Sequence, residues 1–192
     1  MPTISTGNYT VGQVSLYFTA SPAHSSLLAT DPSVASGLGG AFRTTARAFG
    51  NITAAEINPD VTYIEHFISD KGRKKRDKVS ANMVSMSVPF TFDEMSAANI
   101  QKFFLASNLA AGGRYAVFEK ALTEGAAQVF FDTDVGNDIV YFIPNCIIRP
   151  DGALSTNEED WWSGPMVLDI LYYENSHWAS KPYGFVLASN ID

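Results

Sequence analysis

From Val84 to Phe92 the chain alternates with period two. Val84, Met86, Val88, Phe90 and Phe92 fall on one side, and Ser85, Ser87, Pro89 and Thr91 on the other. Such a run has one apolar and one polar face only if the backbone is extended, because a helix would scatter the same groups around its axis. Residues 79–92 are therefore expected to form a strand, and Pro89, which lacks a ladder donor, marks an edge or a bulge. The 13 Phe, 8 Tyr and 3 Trp suit the same kind of pleated, half-buried surface. With 192 residues, 46% hydrophobic and 17% charged, the chain is long and apolar enough to bury a sizeable core in one domain.

Strand patterns recur at 10–19 (TVGQVSLYFT), 43–57, 61–69, 114–119, 126–133, in DIVYFIPNCII, at 161–173 and at 183–188. Asn58-Pro59-Asp60 reads as a turn between two of them, and Asp134 to Asn137 as a hairpin turn. In 61–69, Val61, Tyr63, Glu65 and Phe67 face one way and Ile64, His66 and Ile68 the other. A single helix is expected near 94–106, N-capped by Asp93, with Ile100, Phe103 and Phe104 at helical spacing. Residues 20–41, rich in Ser, Ala and Gly, read as a long loop or arm. The expected class is mainly β (α+β), a single domain over 1–192 with a basic loop at 71–78.

Charge is unevenly placed. Residues 71–78 (KGRKKRDK) hold six of the 13 bases and one acid, leaving seven bases against 19 acids elsewhere. An acidic body does not suit a duplex-binding protein, which needs cations to displace phosphate counterions. It does suit attraction between the basic segment of one copy and the body of another.

Enzyme chemistry has no foothold in the sequence, and no cofactor or metal is expected. Asp132, Asp134, Gly136, Asn137 and Asp138 lack the spacing and closing Glu of a calcium loop. His24, His66 and His177 form no metal-spaced pair. Gly37-Leu38-Gly39-Gly40 follows no apolar strand. Cys146, the single cysteine, lies in an apolar run and reads as a buried, inert thiol. Glu158, Glu159 and Asp160 read as solvated loop acids. Of Trp161 and Trp162, strand alternation sends one to the core and one outward. The opening MPTISTGNYT has no leader pattern, and no run is long enough to span a membrane. A soluble protein made in the cytosol is expected.

Gly50 to Ser107, with its basic segment, alternating strand and DE-x-S-x-x-N-I helix start, resembles the first half of the tail tube proteins of long-tailed bacteriophages. Asp160-Trp161-Trp162 before a strand, then Lys181-Pro182-Tyr183-Gly184-Phe185, resembles that family's closing hairpin. The resemblance implies a β-sandwich or barrel-like subunit with one flanking helix. Six copies would close into a ring, and rings would stack into a virion tube assembled in the host cytoplasm. Its partners would be itself, the tape measure, tail terminator and distal tail proteins, and double-stranded DNA passing through without specific binding. Lys71, Arg73, Lys74, Lys75, Arg76 and Lys78, with Glu158, Glu159 and Asp160, are then expected between rings, together with 20–41 and the termini. Ser85, Ser87 and Thr91 are expected at the lumen. Alternatives are a terminator, baseplate or secretion-system ring subunit, or a sugar-binding sandwich using Trp162 or Trp178 as a platform.

Overall fold

A computed structural model of the chain describes residues 12–20, 47–109, 113–133, 139–157, 160–174, 178 and 181–188. In chain order these hold β1 (Gly12–Ala20), β2 (Arg47–Ala48), β3 (Ile52–Ala55), β4 (Asn58–Asp70) and β5 (Arg73–Phe92). Helix α1 (Ala97–Phe103) follows, then β6 (Ser107–Leu109), β7 (Arg114–Ala116), β8 (Thr123–Thr133) and β9 (Ile139–Pro150). β10 (Ser155–Asn157), β11 (Asp160–Ile170) and β12 (Phe185–Ala188) complete the set. The expected mainly β fold is thus observed, with one helix among the described residues. The arm at 20–41, beyond Ala20, and the turn at 134–137 lie outside the described residues, but β8 and β9 on either side of that turn pair antiparallel.

Ten strands form one antiparallel sheet whose main path is β2-β1-β8-β9-β11-β5-β3. β4 also pairs with β5, β10 with β11 and β12 with β9, while β6 and β7 make a separate ribbon. The two ends of the path, β2 and β3, are separated in sequence only by Phe49, Gly50 and Asn51. The sheet therefore curls until its ends meet, which leaves few open edges on the body. Phe49 marks the seam: its amide donates to the Leu16 carbonyl at 3.2 Å, and its buried ring meets Phe90 edge-on at 5.0 Å.

The alternation of β5 sets the inside of the curl. Val88, Phe90 and Phe92 are buried opposite Leu168, Met166 and Gly164 of β11. Leu168 in turn faces Ile148 of β9, and Leu16 of β1 faces Val129 of β8. Gly164 has no side chain because the Phe92 ring occupies the space, 2.5 Å from where a Cβ would stand. Val84 belongs to the same face but lies beyond the body and is exposed. A smaller cluster on the outer face joins Ala126, Val140, Phe142 and the fully buried Trp178, with Phe185 stacked on Phe142 at 4.8 Å.

Several expected elements are corrected. Residues 43–57 do not form one strand; 47–48 and 52–55 do, at opposite ends of the sheet path, and 43–46 lie outside the described residues. Asn58-Pro59-Asp60 is not a turn: β3 and β4 lie in line along one side of β5, Ala55 facing Phe90 and Asn58 facing Ser87. Pro59 is tolerated because its nitrogen needs no ladder partner on an outer strand. Pro89 sits opposite the break between the two segments, and its carbonyl accepts from Glu56 at 3.0 Å.

The helix is shorter than expected, and its N-cap is Ser96, whose Oγ accepts from the Asn99 amide at 3.3 Å. Asp93 is engaged elsewhere, its amide donating to the Asn51 carbonyl and its carboxylate accepting from Asn51 Nδ2 at 2.5 Å. Buried Asn99 donates to the carbonyls of Phe49 at 2.8 Å and Glu94 at 2.9 Å, pinning α1 to the seam. Past Phe104 the chain turns at Leu105, with φ +46°, and helical hydrogen bonding stops.

Candidate functional site

The most unusual element is the hairpin of β4 and β5. From Val61 to Asp70 the strand leaves the body, and at ~3.4 Å per residue it projects roughly 34 Å. The expected basic loop at 71–78 shrinks to a two-residue turn: Lys71 and Gly72 have φ +49° and +77°, while Arg73 to Lys78 are strand. Both turn residues in the left-handed region match the twist of the flanking strands.

Pairing partners lie on the same face of a hairpin. Val61 faces Val84, Tyr63 faces Ala81, Glu65 faces Val79 and Phe67 faces Arg76, and this face continues that of Met86 and Val88 in the core. The other face holds Thr62 with Met83, Ile64 with Ser80, His66 with Lys78 and Ile68 with Lys75. Two register shifts, between Thr62 and Tyr63 and between His66 and Phe67, keep these sets aligned. The expected alternation of 61–69 is observed, but neither face is covered: Tyr63 is 61% exposed, and Ile64, Phe67, Ile68, Val79 and Met83 are exposed with it.

Charge is concentrated at the tip. Lys75 pairs with Asp70, Arg76 with Glu65, and His66 Nδ1 with Asp77 at 2.6 Å. Lys71, Arg73, Lys74 and Lys78 form no ion pair among the described residues. These pairs are solvent-exposed and add little stability; they leave a net positive tip.

The outer face of the sheet is the second feature. Ser87 stands opposite Asn58 and Asp169, Ser85 opposite Asp60, and Thr91 opposite Pro165. Arg149, beside them on β9, grips Asp169 with two bonds, Nε to Oδ2 at 2.5 Å and an η nitrogen to Oδ1 at 3.3 Å, and reaches Asp151 at 3.4 Å. The hydrogen bond to Asp169 raises the Arg149 pKa, so the guanidinium stays charged. Glu124 accepts from Asn145 Nδ2 at 2.6 Å. The expected lumen residues thus share one polar face with Asp60, Asp169 and Glu124.

The remaining candidates divide. Glu158 and Glu159 lie outside the described residues, and Asp160 opens β11 opposite Asn157, far along β5 from the basic tip. Trp162 is 48% exposed, whereas Trp178 is fully buried and offers no platform to a sugar. His24, His177 and Gly37 to Gly40 are outside the described residues. Cys146 is buried, and burial first, then the Asp169 and Glu124 carboxylates, push its thiol pKa far up, so it is no nucleophile. Among the described residues no three His, Cys, Asp or Glu side chains gather as metal ligands, and no helix is long and apolar enough to cross a membrane.

Sequence reading missed the length of the hairpin and the role of Asn99. The first was signalled by a polar or charged residue among the apolar ones on each face of 61–69, Glu65 on one and Thr62 and His66 on the other, the second by an Asn at the fourth residue of a capped helix start. Neither any known family model nor any curated protein matches this chain.

Proposed function

We propose that this chain is a structural subunit that polymerises, its copies closing into rings that stack into a tube of the kind found in the tails of long-tailed bacteriophages. The observation that carries the reading is the projecting hairpin. A two-stranded ribbon is marginal in water on its own, and this one has bulky apolar groups uncovered on both faces. Packing against identical copies covers those groups, and heterologous contacts repeated around and along an axis build rings and filaments.

The rest of the molecule supports the same reading. A positive tip on an acidic body draws copies together. The polar outer face bearing Ser85, Ser87 and Thr91 suits the wall of a channel through which DNA passes without adhering: Arg149 neutralises Asp169, but Asp60 and Glu124 have no ion pair among the described residues, and such carboxylates repel phosphate. In that setting the protein resides in the virion, alongside tape measure, terminator and distal tail proteins.

Negative-stain microscopy and sedimentation velocity across a concentration series test the proposal. Rings and tubes are expected as concentration rises. A strictly monomeric protein at several hundred micromolar, with or without an assembly initiator, rejects it.

A further inference from the structure

β5 is one continuous strand of 20 residues, up to roughly 66 Å long at ~3.3 Å per residue. Its first residues, Arg73 and Lys74, form the basic hairpin tip. Its last, Phe92, runs directly into Asp93, which borders a cleft of about 490 Å³ lined by Met95, Ile100, Phe104, Leu154 and Trp162. The register of Phe92 with Gly164 brings the start of β11, and with it Trp162, to this same end. The two features therefore occupy opposite poles of a single strand, and the tip of one molecule cannot reach its own cleft.

We infer that this cleft is the socket for the basic tip of a second copy, placed head to tail; the inference rests on the assembly reading above and names the receiving surface. The chemistry of the two poles matches. Arg73 carries a guanidinium without an ion pair among the described residues, on a long apolar stem. The half-exposed Trp162 ring offers a face for a cation, Asp93 a carboxylate at the rim, and Met95, Ile100, Phe104 and Leu154 an apolar wall for the stem. Arg is the better cation here because its planar, weakly hydrated group stacks on an indole and meets a carboxylate at once. Phe67 and Ile68, exposed just behind the tip, add apolar area for the rim of the cleft. Since the contact joins unlike surfaces, it propagates along the β5 direction instead of closing a pair.

Charge reversal and crosslinking test the socket on the full-length chain. Arg73→Glu and Asp93→Lys, each alone, are expected to raise the concentration needed for tube formation by about tenfold or more, and the double reversal to restore much of the loss. Single variants that assemble like the parent chain, or a double variant that is worse than both, overturn the socket. As a second readout, Lys74→Cys and Ala97→Cys chains are mixed and treated with a short bismaleimide; native Cys146 is buried and stays silent. A crosslinked species containing one of each chain is expected. If the parent forms tubes but the mixture yields no such species, the cleft is not the receiver although the assembly reading stands. If the parent never assembles, both fail.

Discussion

Gln128 is buried opposite Tyr17 and Phe142, and neither atom of its amide has a hydrogen-bond partner among the described residues. An unsatisfied buried amide costs about 1–3 kcal/mol. Gln128→Met, which keeps the volume and drops the polar atoms, is expected to raise the melting temperature by roughly 2–4 °C per kcal/mol recovered, measured by thermal unfolding. Phe92 is the opposite case, a fully buried ring touching Phe49, Phe103 and the Gly164 backbone. Phe92→Ala should destabilise the subunit by about 3–5 kcal/mol in denaturant unfolding. Cys146 makes stability depend on alkali. Burial raises its pKa in the fold, so below its ordinary value of 9.0 both folded and unfolded chains hold the proton and nothing is lost. Above that value only the unfolded chain releases it, and stability falls; Tyr141, raised chiefly by burial and then by Cys146, adds to the fall at higher pH. Thermal melts should be level between about pH 7 and 8 and decline past pH 9, less steeply in Cys146→Val.

At the scale of elements, the hairpin and the body separate energetically. The hairpin buries little, so replacing residues 62–80 by a short turn should leave the melting temperature of the body within a few degrees while abolishing assembly, checked by calorimetry and microscopy together. This scale also shows where the sequence was legible. The alternation was readable over 86–92 because one face meets a core and the other does not; in β11 Met166, Leu168 and Ile170 meet the same core, but Val167 on the opposite face is buried as well. The apparent turn at Asn58-Pro59-Asp60 misled because local turn preference yields to pairing: both flanking segments find hydrogen-bond partners on the same strand. The start of α1 was misplaced because Asp93, a good cap in isolation, is held by Asn51, forty-two residues away. Nothing local announces such a contact.

The whole molecule depends on pairings that no window of sequence contains. Closure of the sheet requires β1 to reach β8 across more than a hundred residues, and β2 and β3 to part toward opposite ends of the path. The candidate site was legible in its chemistry and hidden in its geometry: the cluster of bases stood out at once, but its position at the end of a 20-residue strand did not. That position carries a consequence for how growth starts and stops. In the proposed assembly, a column of these subunits has unlike ends, one crowned with bare cationic fingers and the other with vacant indole-lined cups. Any protein that seeds the column must therefore imitate a cup or a finger, and the one that caps it must imitate the other.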